Sequence, residues 1–347
     1  MSRIGIVTFL HNGNFGSSLQ AFALQKTVRE MGHECEHIDY RPDNAEKVRN
    51  MIRCGNSPKL LLDGYRKRKV RGTQDGAREK YQRIDDFYGR RMQMSPVCGN
   101  RKALAQVGSR YDVLMCGSDQ IWNPTWMNPA YFLDFAEPEK RRVAYAASLG
   151  VSREPGRRKQ KMIREAVSLF DAVSVREEEG ARLMFTMTGE RPPVMPDPVC
   201  LLTGEEWDNT AKPVDIRKPY LLCYFIGENP AYWEQADQLR GQMGLEPVVL
   251  PVTAEAYAQE KLLLLDGAGP EEFLGALVGA DLILTDSFHA LALGTVFDRR
   301  VEVIRRDRDD DRESRNSRVD HFRREVSGKG LEAMRKEGLS WLAQSLP

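Results

Sequence analysis

Continuous apolar runs and helical spacings alternate along this chain. Ile4-Gly5-Ile6-Val7-Thr8-Phe9 is a short unbroken apolar run, the pattern of a strand covered on both faces of a parallel sheet. The turn-forming stretch from Leu10 to Gly16 follows. Ser17 and Ser18 are placed to cap a helix whose apolar Leu24, Val28 and Met31 recur at i, i+4 and i+7, and Gly32 supplies its stop. Glu36 to Tyr40 predicts the next strand. Residues 41 to about 105 lose this rhythm and read as a helical, basic insertion. The alternation returns with strands at Tyr111–Cys116, Arg142–Ala147 and Ala172–Val175, and helices at Gly156–Phe170 and from Glu177 to about Thr186. Asp197-Pro198 closes that series. Beyond a Trp207 helix and the linker Lys212–Pro219, strands at Tyr220–Ile226, Pro247–Leu250, Asp281–Thr285 and Val301–Ile304 alternate with helices at Pro230–Met243, Pro270–Val278 and His289–Phe297. Strand–helix alternation in two series predicts an α/β fold of two Rossmann-like domains facing a cleft. Residues 1–205 form the first; residues 206–347 form the second, with a charged loop and C-terminal helices.

Composition narrows the function. The 347 residues carry 51 Lys and Arg against 50 Asp and Glu, a formal charge of +1, which speaks against nucleic acid as the main partner. Cys35, Cys54, Cys98, Cys116, Cys200 and Cys223 never form CxxC and predict separate buried thiols. The N-terminal apolar run Ile4–Leu10 is too short for a signal or a span, so a cytoplasmic location is expected. The basic segment Lys59–Arg71 reads as a solvated helix face, its alternative being a surface for an acidic glycan or peripheral membrane contact.

Three motifs fail on context. His33-Glu34-Cys35-Glu36-His37 has the letters of a zinc-protease helix. It starts after a helix stop and runs into a strand, where its imidazoles would stand about 13 Å apart. Asp307, Asp309 and Asp311 mimic a calcium loop, but Arg312 and Arg318 occupy the positions that need Gly and Glu. The first loop lacks GxGxxG, so NAD is unsupported. No metal site and no cofactor are expected.

The chemistry-bearing candidates sit at predicted strand ends. His289 follows Leu282-Ile283-Leu284 and the turn Thr285-Asp286-Ser287-Phe288 and opens a helix, at the sheet edge where open α/β folds hold ligands. An imidazole there can deliver a proton, and the helix N-terminus suits an anion; a helix-capping histidine is the plain alternative. Arg176 ends the corresponding strand of the first half as a phosphate or carboxylate clamp, or as a surface ion pair with Glu177–Glu179. Asp119 and Trp122 lie in the loop Gly117–Pro124, as sugar-binding groups or as a capped loop with a core tryptophan.

These residues fall in an ordered set that resembles the polysaccharide pyruvyl transferase family. The set comprises Asn14-Phe15-Gly16-Ser17-Ser18-Leu19-Gln20-Ala21, Cys116-Gly117-Ser118-Asp119-Gln120-Ile121-Trp122-Asn123, and Tyr145-Ala146-Ala147-Ser148-Leu149-Gly150. It continues through Ser174-Val175-Arg176-Glu177, Pro196-Asp197-Pro198, Thr285-Asp286-Ser287-Phe288-His289-Ala290 and Asn316-Ser317-Arg318. The resemblance implies a GT-B-like domain pair and transfer of the enolpyruvyl carbon of phosphoenolpyruvate to a sugar diol. The products would be a cyclic ketal and phosphate, and the acceptor a glycan or its lipid- or nucleotide-linked precursor. It assigns the acid to His289 and an anion clamp to Arg176, with Asn14, Gly16, Ser17, Ser18 and Asp119 shaping the acceptor side; Trp122, Asp286 and Ser287 join them as substrate-binding candidates from their places in the same loops. Many members carry Arg where this chain has Ser287, so either Arg305, Arg306 or Arg318 is expected to take the phosphate or the substrate differs. The competing readings are a glycosyltransferase with a nucleotide-sugar donor and a non-catalytic glycan-pathway binding protein. Oligomeric state is left open.

Overall fold

The computed structural model describes residues 1–60, 75–217, 219–259, 261–305 and 316–347. In chain order the first half contains β1 (Arg3–Val7), α1 (Phe15–Glu30), β2 (Glu34–His37), α2 (Asn44–Cys54), α3 (Asp75–Arg91), α4 (Arg101–Gly108), β3 (Val113–Cys116), β4 (Arg141–Ala147), α5 (Arg157–Val167), β5 (Ala172–Val175) and α6 (Glu178–Thr188). After a short α7 (Gly204–Asp208) come β6 (Tyr220–Tyr224), α8 (Ala231–Met243), β7 (Glu246–Val249), α9 (Ala254–Tyr257), β8 (Leu263–Leu264), α10 (Pro270–Gly279), β9 (Leu282–Thr285), α11 (Phe288–Val296), β10 (Val301–Val303) and α12 (Asn316–Ser345). The strands form two sheets in the orders β2-β1-β3-β4-β5 and β10-β9-β6-β7-β8. Every pairing between these strands is parallel. Parallel neighbours need crossovers, and the intervening helices provide them.

Several boundaries move for identifiable reasons. α1 begins at Phe15, and its cap is Asn14, whose side chain accepts from the Gly16 amide at 2.9 Å. Ser17 and Ser18, expected as caps, lie inside the helix and are fully buried. Phe15 draws the helix start inward: its ring stacks on Phe273 at 5.0 Å and lies 6.0 Å from Tyr224, both in the second half. The described parts of the insertion are largely helical, in α2, α3 and α4. α3 places Ile84, Phe87 and Tyr88 on one face at helical spacing, in the same apolar core as Phe22, Trp207, Phe273 and Phe288. That core is continuous across both halves.

α12 breaks at Gly330, where the backbone takes φ 80° and ψ 159°. Beyond the break it returns to the first sheet: Leu342 and Leu346 pack with Ile4, Val28, Val143 and Tyr145, and Arg141 Nε donates to the Ser345 carbonyl at 3.0 Å. Contiguity in sequence groups this tail with the second half; packing places it on the first. All six cysteines are buried and free. Among the described residues no helix is long and apolar enough to cross a membrane. The Asp307–Asp311 motif, Arg306 and the basic stretch beyond Leu60 lie outside the described residues.

The zinc-protease letters lie where the spacing predicts, on extended backbone. His37 is fully buried in β2, and its Nε2 donates to the Ala21 carbonyl at 2.9 Å. Burial pushes its pKa down to about 4, against that hydrogen bond. The neutral imidazole is therefore the native form. Its contribution is present above the unfolded value near 6.5 and is lost as pH falls through about 4, a swing of about 3 kcal/mol. Wild type should lose denaturant stability between pH 6.5 and 4, and His37→Gln, which keeps a donor toward Ala21, should flatten that slope. Phe15→Ala should cost about 3–5 kcal/mol in urea unfolding and, since the ring spans both halves, should shift one shared transition.

Candidate active site

The loops that leave the carboxyl ends of β3, β4 and β5 meet the first turn of α11 from the opposite half. Three carboxylates and one guanidinium converge there. Arg176 directly follows β5 and is almost fully buried. Its Nη1 donates to Asp197 Oδ2 at 2.6 Å, its Nε lies 3.7 Å from Glu177 Oε2, and its Nη2 lies 3.9 Å from Asp119 Oδ1. Its plane covers the Phe288 ring at 4.7 Å, a cation–π contact across the domain boundary. Asp197 caps the turn Pro198–Cys200 through the Val199 amide, and its Oδ2 also accepts from Ser118 Oγ at 3.0 Å. His289 Nε2 stands 3.5 Å from that same oxygen. The imidazole of one half and the guanidinium of the other thus share a single carboxylate.

Asp119 is held in the left-handed region at φ 73°, a conformation that short polar side chains tolerate. Its Oδ2 accepts from Ser17 Oγ at 2.6 Å and its Oδ1 from the Gln120 amide at 2.8 Å. Glu177 Oε1 accepts from Ser148 Oγ at 2.8 Å. Gly16 has a different duty: a Cβ there would lie 2.2 Å from His289 Nδ1, so only glycine lets α1 reach the imidazole.

Electrostatics keep the cluster ionised. Burial pushes the carboxyls of Asp197 and Asp119 up, but His289 and Arg176 outweigh it and hold both below the usual carboxylate range; Ser17 adds to this for Asp119. Burial alone would lower the Arg176 pKa, and the three carboxylates raise it instead. Four buried polar atoms, Arg176 Nε and Nη2, Glu177 Oε2 and His289 Nε2, have no hydrogen-bond partner. A crevice of about 20 Å³, bounded by Arg176, Asp197, Phe288 and His321, opens beside them and has room for one water.

The sequence candidates divide accordingly. Gly16, Ser17, Asp119, Arg176 and His289 come together, with Asn14 capping the helix that carries Gly16 and Ser17. Ser18 Oγ turns toward Tyr88 Oη at 2.8 Å. Trp122 is not a sugar platform: it is fully buried, stacked on Phe132 at 5.1 Å, and its indole N–H donates to the Tyr131 carbonyl. Asp286 anchors the neighbouring loop, accepting from the Ile226 and Gly227 amides and from Tyr232 Oη. Ser287 caps α11. Arg305 pairs with Asp320 at 3.5 Å on the exposed side. Arg318 is buried in the first turn of α12, its Nη1 and Nη2 3.0 and 3.1 Å from the Gln120 amide oxygen in the orientation that satisfies both groups. Asp197 is the residue that sequence reasoning underrated. It stood out only as the Asp-Pro that closes the first series and as a member of the motif set, and the fold makes it the hub.

The chain superposes along nearly its whole length on solved sugar-nucleotide enzymes. UDP-GlcNAc 2-epimerase from Neisseria meningitidis, bound to UDP-GlcNAc, matches with TM-score 0.53 and 8% identity over 99% of each chain. The UDP-GlcNAc 2-epimerase from Methanocaldococcus jannaschii gives 0.52 and 10%, again over 99% of both. At such identities the likeness shows the fold, and the fold is GT-B. No curated protein matches the chain. The family profile described as polysaccharide pyruvyl transferase matches residues 14–308, and the chain belongs to that family of transferases.

Asp197→Asn should destabilise the protein by about 1.5–3 kcal/mol at pH 7, because it removes the charged hydrogen bond of a buried arginine while Glu177 and Asp119 still face it. Ionised Asp197 and Asp119 contribute above the unfolded carboxylate range near pH 4 and lose that contribution as pH falls further. The wild-type stability curve should therefore bend down below pH 4, and the asparagine variant should bend less.

Proposed function

We propose that this chain moves the pyruvyl carbon of phosphoenolpyruvate onto a diol of a glycan or glycan precursor, with His289 as the proton donor. The observation that carries the proposal is the imidazole at the start of α11, held against ionised Asp197 within a chain of this family. The enol CH₂ takes a proton from His289, which leaves an oxocarbenium-like carbon at C2. One acceptor hydroxyl adds there; the second displaces phosphate, and the ketal closes. One hydroxyl proton restores His289 and the other leaves with the phosphate. Asp119, fastened by Ser17, stands as hydrogen-bond acceptor to the incoming hydroxyl. Asp197 Oδ2, 3.5 Å from His289 Nε2, is placed to orient the imidazole. Nothing in these steps requires a cofactor.

Arg176 takes a different part from a free clamp. Its charge faces three carboxylates, and we assign it to holding Asp197, and through it His289, in place. Its unpartnered Nε and Nη2 are the groups left for an oxygen of the donor, beside the positive end of α11. The crevice admits a water and no sugar, so the halves must part for substrates to enter. We place the reaction in the cytoplasm, where phosphoenolpyruvate is made.

His289→Gln should lower phosphate release from phosphoenolpyruvate and a glycan acceptor by about 10²–10⁴-fold while the variant still unfolds in one cooperative transition. Turnover equal to wild type would reject the assignment. In thermal-shift measurements phosphoenolpyruvate should stabilise the protein. Stabilisation by UDP instead would favour a nucleotide-sugar donor, and glycan binding without turnover a non-catalytic role.

A further inference from the structure

A second hollow lies in the first half, built by α2, the chain that follows it and the turn Pro124–Trp126. Its volume is about 150 Å³, below the roughly 300–1,000 Å³ of sites for nucleotide- or drug-sized ligands, and suited to one six-membered ring. The half-buried Trp126 forms a wall, Met51, Leu60 and Met127 add apolar surface, and Asn50, Asn56 and Asn128 surround it with amides. Lys47 is the one charged residue among the described residues lining it.

The amides are fastened before any ligand arrives. Asn50 Nδ2 donates to Tyr40 Oη and to Asn128 Oδ1, each at 3.2 Å. Asn56 Nδ2 donates to the Met127 carbonyl at 2.8 Å, and its Oδ1 accepts from Lys159 Nζ at 3.0 Å. A primary amide has two donor hydrogens and two acceptor lone pairs, so Asn56 keeps one of each for a ligand. An aromatic face beside oriented amides matches a pyranose, which has an apolar C–H face and a rim of hydroxyls. Trp126 in the hollow is seven positions along the chain from Asp119 in the cluster, which bounds the distance to about 25 Å even for extended chain. A short oligosaccharide covers that span.

We infer that this hollow is a subsite for a neutral pyranose residue of the acceptor glycan, one or more units away from the reacting diol. The inference rests on the acceptor being a glycan. Its selectivity comes from the Trp126 face and the Asn50, Asn56 and Asn128 amides, and its occupancy does not depend on His289.

Saturation-transfer NMR on the full chain with the methyl glycosides of glucose, galactose, mannose and N-acetylglucosamine tests it. At least one glycoside should receive saturation from wild type. Trp126→Ala should reduce that signal at least fivefold. So should Ser57→Trp, which fills the hollow from an exposed position and leaves the core alone. His289→Ala should leave it intact. Signals unchanged in both Trp126→Ala and Ser57→Trp, or no signal from any glycoside, would overturn the subsite. A Trp126-dependent signal in a protein that releases no phosphate from phosphoenolpyruvate would leave the subsite standing and remove the transfer reaction, so the two failures are distinct.

Discussion

The first turn of α1 touches the first turn of α11, and the two halves of the molecule meet through that contact. It exists because residue 16 has no side chain: the His289 ring fills the space where a Cβ would be. Around it Phe15 stacks on Phe273 and Arg176 covers Phe288, so the polar centre is surrounded by apolar contacts that also join the domains. The close approach brings an imidazole from the second sheet within reach of carboxylates from the first. Each half alone holds an incomplete set.

A buried guanidinium is costly unless its charge is matched. Here the match exceeds unity, with Asp197, Glu177 and Asp119 around one Arg176. One of them, Asp197, also lies 3.5 Å from His289 Nε2 of the other half. The ion cluster thereby ties the first turn of α11 to the loops of the first half. Ser287 caps that same helix, and the buried cation Arg176 comes from another element.

Much of the architecture was legible because strands buried on both faces are written as unbroken apolar runs. Val113–Cys116, Ala172–Val175 and Leu282–Thr285 stand out for that reason. The two-residue strand Leu263–Leu264 has too little length to carry a pattern. α3 is hidden by its charge, since an interdomain helix needs only Ile84, Phe87 and Tyr88 on its inward face. At the site, His289, Arg176 and Asp119 were visible as polar residues just past strand ends. Trp122 carried the same position signal and proved to be core, because a loop can turn an aromatic inward as readily as outward. Glu177 was legible as an ion-pair partner of Arg176, though on the surface rather than buried, and Asp197 gave no local sign of its role.

The amino-acid order by itself determined the two parallel sheets, the position of the polar loops at their carboxyl ends and the family to which the chain belongs, since all three depend on local periodicity and collinear motifs. Tertiary structure decided which of those polar groups face one another. Arg176 and His289 lie more than a hundred residues apart, and their meeting at Asp197 depends on interdomain packing over glycine. No local pattern encodes that. The return of the last helix to the first sheet is likewise a matter of which apolar surface is left uncovered once the other elements have packed.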